Sequence, residues 1–193
     1  PAKVQAALLE AMGERQITVG QQTYLLPQLF MVLATQNPVE QEGTYHLPEA
    51  QLDRFLMQVL VDYPSHAEEL KILELDNDRQ REVPKPPANP LSQAELFAMR
   101  SAVAELFISP KLNRYIVDLI QATRASPRAQ LALARCARAR AWLHGEPYVS
   151  PEHIQEIAAD ILRHRLLLTF EAEAEGITSD DLIERLLSLV AIP

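Results

Sequence analysis

The chain has 193 residues, enough for one or two domains, and its 48% hydrophobic and 23% charged residues are typical of a globular protein. No apolar run reaches the ~20 residues that a membrane-spanning helix needs, so we expect no membrane association. A net charge of −8 disfavours a general nucleic-acid binder.

The glycines of this chain are few and scattered. There are five, Gly13, Gly20, Gly43, Gly145 and Gly176, and no two lie closer than seven positions. The phosphate loops GxGxxG and GxxxxGK[ST] need glycines within a few residues, because their backbone N–H groups must surround a phosphate. These residues therefore contain neither loop. Because the chain opens with Pro1 and runs straight into a helical pattern, we expect it to be a piece of a longer protein.

The cysteine and histidine content suggests neither disulfides nor a metal site. Cys136 is the only cysteine, so no internal disulfide can form, and the sequence predicts a cytoplasmic protein. The five histidines have no metal-ligand spacing with cysteine or acidic residues.

The first 26 residues predict a helix followed by a β-hairpin. Apolar residues recur at helical spacing over residues 1–15. Short alternating segments follow on either side of Gly20, which supplies the backbone angles that a tight turn requires.

Two continuous apolar runs predict strands that are buried on both faces, as in a parallel sheet. They are residues 29–34 and 55–61, with a helical segment over residues 47–54 between them. The predicted fold over residues 1–82 is therefore part of an α/β core with a parallel sheet. A capping box at Ser65 starts a further helix that should run to about Asn77.

Four prolines within residues 83–90 predict a semi-rigid linker and a domain boundary. An all-helical domain should follow over residues 91–193, because helix-start signals recur there while strand signals do not. The starts are a capping box at Ser92, the pairs Ser109-Pro110, Ser126-Pro127 and Ser150-Pro151, and an acidic first turn near Ser179.

Two polar positions of the α/β part are candidate site residues. Asn37 follows the first predicted strand, where an uncharged polar side chain can orient a water or a phosphate, although Asn-Pro is also a common turn pair. Arg54 precedes the second strand, from where it can reach the phosphates of a neighbouring subunit. The alternative for Arg54 is a local surface ion pair with Asp53.

The helical part carries a third candidate in an arginine-rich region. Arg128 lies in the first turn after Ser126-Pro127, where the helix dipole disfavours a cation unless an anion shares the site. Lys111 holds the equivalent position after Ser109-Pro110, so the placement alone does not establish a site. Residues 121–165 contain seven arginines and four acidic residues. The helical stretch Arg128–Leu143 and the run Arg163–Arg165 have almost no interleaved aromatics apart from Trp142, and the flanking segments are acidic, which favours a solvated or partner-facing surface over nucleic-acid binding.

Several segments resemble the AAA+ ATPases of the MoxR family, and the resemblance spans nearly the whole chain. Residues 34–45, ATQNPVEQEGTY, are similar to the family's sensor 1 strand and the loop after it. Residues 47–55, LPEAQLDRF, resemble its arginine-finger segment, and residues 125–129, ASPRA, its sensor 2 motif. Residues 1–15 resemble the helix that follows the family's Walker B strand. Residues 16–26 resemble the hairpin that is typical of the helix-2-insert clade, to which the family belongs.

The resemblance implies a role for each candidate residue. Asn37 would position the attacking water. Arg54 would be the arginine finger, which reaches the phosphates bound by a neighbouring subunit, and Arg128 would contact the γ-phosphate in its own subunit. Walker A and Walker B are absent from these residues, so ATP and Mg²⁺ would be bound by the intact parent, and we expect this chain alone to be inactive.

The family further implies a homo-oligomeric ring that remodels partner proteins, usually ones with von Willebrand A domains, in chaperone-like maturation or metal-cofactor insertion. Two alternatives remain open. One is a non-catalytic acidic interaction module, and the other is a related motor of the magnesium-chelatase or DNA-helicase kind.

Overall fold

A computed structural model describes residues 2–36, 47–81 and 87–193. The chain divides into two compact units, one formed by Pro1–Gln58 with Val103–Pro193 and the other by Val59–Ala102. The linker predicted over residues 83–90 lies partly outside the described residues, and its role as a domain boundary stays a prediction.

The larger unit begins with a helix and a hairpin, as the sequence predicts. Helix α1 spans Ala2–Glu14, and strands β1 (Gln16–Val19) and β2 (Gln22–Leu25) pair antiparallel. Gly20 adopts a φ of 65° in the turn, which a residue with a Cβ adopts only with strain. The carboxylate of Glu10 accepts hydrogen bonds from the backbone N–H (3.0 Å) and hydroxyl (2.6 Å) of Thr18, which fix the hairpin against the helix.

The prediction of a buried strand at residues 29–34 and another at residues 55–61 is wrong for this structure. Among the described residues the hairpin is the only sheet, and residues 27–36 and 57–61 carry no regular secondary structure. A strand of a parallel sheet is stabilised by hydrogen bonds to neighbouring strands, and the described residues provide none here. Leu33 and Val61 are accordingly 81% and 91% exposed. The helix predicted between the two runs is a single turn, α2 (Glu49–Leu52).

The smaller unit contains helix α3 (His66–Arg81) and most of α4 (Gln93–Glu105). Both begin at the predicted capping boxes, because Glu68 accepts from the backbone N–H of Ser65 (2.8 Å) and Glu95 from that of Ser92 (2.8 Å). Helix α3 continues four residues beyond the predicted end at Asn77.

The remaining helices form a bundle within the larger unit. They are α5 (Pro110–Thr123), α6 (Pro127–Leu143), α7 (Pro151–Leu162), α8 (Phe170–Ala174) and α9 (Ser179–Leu189), with a 3-10 turn at Arg163–Arg165. All three predicted Ser-Pro starts are confirmed. The sequence does not predict α8, a short helix of five residues that contains the exposed Glu171 and Glu173.

The core of the bundle is centred on α6, whose buried face consists mainly of small residues. Four alanines of this helix are almost completely buried, Ala129, Ala132, Ala137 and Ala141. Small side chains allow the flanking helices to approach closely, and large apolar residues of α5, α7 and α9 fill the remaining space. The largest of these are Tyr115, Ile116, Leu119, Ile154, Ile161, Leu162 and Ile183.

Across residues 2–36, 47–81 and 87–193, no helix combines the length and the apolar character that crossing a bilayer requires.

Candidate functional site

The carboxylate of Asp53, directly after α2, contacts three side chains of the helical bundle. Its Oδ1 accepts hydrogen bonds from Ser126 Oγ at 2.5 Å and from Arg165 Nε at 2.9 Å. Its Oδ2 accepts one from Arg128 Nη1 at 3.0 Å. The alternative of a local Asp53–Arg54 pair is wrong, since no such contact exists and the three partners lie more than 70 positions away.

Arg165 is the most extensively bonded of these partners. Besides the Asp53 carboxylate, its guanidinium donates to the backbone carbonyls of Asp53 (3.1 Å), Phe55 (2.6 Å), Leu56 (3.4 Å) and Ile161. The side chain is only 3% exposed. A buried guanidinium requires such compensation, because an unpaired charge in the interior is costly. Arg165 therefore binds the segment after α2 firmly to the end of α7.

Two neighbours of Arg165 extend this contact along the same segment. His164 Nε2 donates to the Phe55 carbonyl at 3.3 Å, and Arg163 Nη1 donates to the Gln58 carbonyl at 2.7 Å. Arg163 also forms a bidentate ion pair with Asp180, through bonds of 2.7 and 3.0 Å. We call Arg163–Arg165 the basic turn. The carbonyls of Phe55, Leu56 and Gln58 are thus all bound by side chains of this turn.

The electrostatics of the contact follow from burial and pairing. Burial acts to raise the pKa of Asp53, but hydrogen bonds from Ser126, Arg128 and Arg165 outweigh it, and the pKa is lowered. Burial lowers the pKa of Arg165, with Asp53 opposing the shift. Burial and the charge of Arg165 lower the pKa of His164 to about 4, so this ring is neutral at pH 7.

Arg128 lies where the sequence predicts, in the first turn of α6. The anion that shares its position is Asp53, which offsets the unfavourable helix dipole. The Arg128 side chain is 54% exposed, and one nitrogen of its guanidinium is bonded within the described residues. Among the described residues its other N–H groups have no acceptor, and a planar guanidinium can donate two such groups to one phosphate.

Arg54 is exposed and packs against the end of α1. A Cβ added at Gly13 would come within 2.7 Å of Arg54 Nη1, so glycine leaves the space that the guanidinium occupies. Within the described ranges Arg54 has no hydrogen bond or ion pair. Asn37 lies outside those ranges, as does Gly43 of the predicted sensor 1 loop.

Sequence reasoning missed Asp53 and the basic turn as parts of one cluster. The excess of arginines in residues 121–165 indicated that this region binds something, but the sequence alone favoured a surface that faces solvent or a partner protein. Three of its seven arginines instead bond to residues 53–58 of the same chain. Nothing in local spacing reveals pairs separated by more than 70 residues.

Two family models match the chain. The model described as "ATPase family associated with various cellular activities (AAA)" covers residues 1–57, and the "AAA lid domain" model covers residues 113–186. Over its whole length the chain is also 41% identical to Chaperone MoxR1 of Mycobacterium tuberculosis. The chain belongs to the MoxR family of AAA+ ATPases.

The chain is also similar to two further curated proteins and to one solved structure. The chain is 42% identical to protein YeaC of Bacillus subtilis and 29% identical to Protein MoxR of Paracoccus denitrificans, each over 99% of this chain. A crystal structure from Cytophaga hutchinsonii superimposes on the whole chain with a TM-score of 0.90 at 42% identity, over 63% of that protein. The chain spans 55% of MoxR1 and 62% of YeaC.

Proposed function

We propose that this MoxR-family chain supplies the arginine finger, sensor 1 and sensor 2 of a ring-forming enzyme that hydrolyses ATP. The observation that carries the proposal is the bond between Asp53 and Arg128, which joins the predicted finger segment to the predicted sensor 2 helix. The proposed finger segment and the proposed sensor 2 helix, two motifs that would serve ATP hydrolysis, are thus in direct contact through their side chains.

Arg54 is the proposed finger. An arginine finger must project from its subunit and reach a phosphate of the next one, where it neutralises charge that develops during transfer. Its exposure, and the lack of a bonding partner among the described residues, support this role. Asp53, which immediately precedes it, is anchored by Arg165, so the finger begins from a fixed point of the backbone.

Arg128 is the proposed sensor 2. The resemblance implied that it contacts the phosphate of its own subunit. Because Arg128 is bonded to the residue beside Arg54, we propose instead that both arginines face the same subunit boundary and serve one phosphate site there. Two guanidinium groups would then stabilise the transferred phosphoryl group.

Asn37 remains the proposed residue that positions the attacking water. The phosphate-cradling loop, its lysine and the Mg²⁺-binding carboxylate are not among the 193 residues, so an intact parent protein would supply them together with ATP and Mg²⁺. We therefore propose that these 193 residues alone do not hydrolyse ATP.

Hydrolysis at subunit boundaries would drive the remodelling of partner proteins, with von Willebrand A domain proteins as the proposed partner class and the cytoplasm as the proposed location. The name of one relative, Chaperone MoxR1, supports the chaperone-like part of this proposal. Neither nucleic acid nor a membrane is part of the proposal.

The test is the substitution Arg54→Ala in the full-length protein. We expect ATP turnover to fall by about a thousandfold, the lower range for a removed finger, while nucleotide binding is retained. Arg100→Ala is the matched control, because Arg100 is another exposed arginine, and its guanidinium lies over the ring of Phe97, away from Asp53 and Arg128 in sequence and outside the proposed site. Wild-type turnover in Arg54→Ala would overturn the finger assignment. A full-length reading frame without GxxxxGK[ST] would favour the interaction module instead.

A further inference from the structure

The Asp53 carboxylate has two kinds of partner. Oδ1 is bonded to Ser126 and to Arg165, and the side chain of Arg165 is almost completely buried. Oδ2 is bonded to Arg128, which is more than half exposed. An exposed ion pair contributes little stability, whereas a buried one is costly to break. Asp53 is therefore fixed in place whether or not Arg128 is bonded to it.

Arg128 has donors left over after this contact. Only Nη1 is bonded to Asp53, and within the described residues Nε and Nη2 have no partner. A guanidinium can donate several N–H bonds at once, so Arg128 can keep its bond to Asp53 while it binds a phosphate. A free arginine would lose rotamer freedom on binding, and a pre-oriented one loses less.

We propose that Asp53 is a positioning residue for Arg128, which it holds ready for the phosphate that Arg54 also approaches. The inference rests on the proposed function, because it assumes that Arg128 binds that phosphate. In this proposal Asp53 acts through Arg128 and does not contact the phosphate itself. Its carboxylate is anchored by Arg165 and Ser126, and it sets the position and orientation of the Arg128 guanidinium. Because Asp53 immediately precedes Arg54 in the chain, the same anchor also fixes the backbone from which Arg54 extends.

The experiment is a double-mutant cycle in the full-length protein, with Asp53→Asn, Arg128→Ala and both together. Asparagine keeps the shape of Asp53 and removes its charge. We expect Asp53→Asn to lower kcat about tenfold, the usual effect of losing one charge-assisted hydrogen bond, with the KM for ATP changed less than about twofold. In the Arg128→Ala background the same substitution should cause no further loss.

Glu156→Gln is the matched control. It also removes a carboxylate charge from an ion pair with an arginine, Arg140, at 2.7 Å, and it lies on an exposed face of the bundle. We expect unchanged turnover. Thermal unfolding of each variant, measured alongside, identifies any loss of rate that follows from lost folding.

The outcomes separate the two proposals. Wild-type turnover in Arg128→Ala contradicts the sensor 2 role, and with it the proposed function of that residue. A strong effect of Arg128→Ala combined with wild-type kcat in Asp53→Asn overturns the positioning role alone. A further tenfold loss from Asp53→Asn in the Arg128→Ala background also overturns it, because Asp53 would then act through another group.

Discussion

The guanidinium of Arg165 donates two hydrogen bonds to Asp53, one from Nε to the side-chain carboxylate (2.9 Å) and one from Nη2 to the backbone carbonyl (3.1 Å). The two residues are 112 positions apart. This contact attaches the segment that carries Arg54 directly to the end of α7.

Removing the Arg165 side chain should destabilise the chain strongly. Arg165→Met preserves the apolar stem but leaves a buried carboxylate with fewer partners, and we expect a loss of about 3 kcal/mol in the free energy of unfolding. Urea denaturation followed by circular dichroism measures it. Glu156→Gln, which breaks an exposed pair, should stay within about 1 kcal/mol of wild type. Equal effects of the two substitutions would contradict the importance of this contact.

Stability should fall as the pH drops from 7 towards 4, because His164 resists protonation in the folded state. Its Nε2 must carry a proton to donate to the Phe55 carbonyl, and its buried Nδ1 has no partner in the described part of the chain. Burial lowers the pKa to about 4 from the ordinary 6.5, so the unfolded chain binds the extra proton first.

We expect His164 to account for about 1–2 kcal/mol of this pH-dependent loss, less than the whole shift because the ring is only partly buried. His164→Gln should flatten the dependence of unfolding free energy on pH between 4 and 7. His66→Gln, at an exposed histidine of α3, is the control. A profile of His164→Gln that matches wild type would show that another group is responsible.

Two glycines should separate activity from stability. In Gly13→Ala the new Cβ meets only the flexible end of Arg54, so stability should hold or rise by about 0.5–1 kcal/mol while turnover of the full-length protein falls. Gly20→Ala should cost about 1 kcal/mol, because its φ is 65°, and leave turnover unchanged. Unaltered turnover in Gly13→Ala would argue against a positioned Arg54.

Cys136 should be unreactive in the folded chain. Burial raises the pKa of its thiol, which is the opposite of what a reactive cysteine requires, although nearby arginines oppose the shift. We expect Ellman's reagent to label the native chain at least ~100-fold more slowly than the chain in denaturant, since reaction then requires unfolding. Rapid labelling without denaturant would mean that α6 opens locally.

Local sequence signals predicted most helices and the hairpin, but they failed for the two apolar runs that were predicted to be buried strands. Each predicted Ser-Pro pair starts a helix, because the fixed φ of proline suits the first helical turn. Ser109 also caps its helix by accepting from the N–H of Leu112, whereas the hydroxyl of Ser126 donates to Asp53 instead. The apolar run 29–34 has the composition of a buried strand, yet it is unpaired here. Strand formation depends on partners elsewhere in the chain, and an apolar run cannot supply its own neighbours.

The sequence by itself determined which residues are candidates for the phosphate site. Arg54 and Arg128 lie in segments whose amino-acid sequences resemble the arginine-finger and sensor 2 motifs. Only the tertiary structure decided that Asp53 bonds to Arg128 and Arg165 instead of to Arg54. The physical reason is range. Caps, turns and helical periodicity are fixed by neighbours within about four positions, whereas a carboxylate takes whichever donors the folded chain brings within hydrogen-bonding distance.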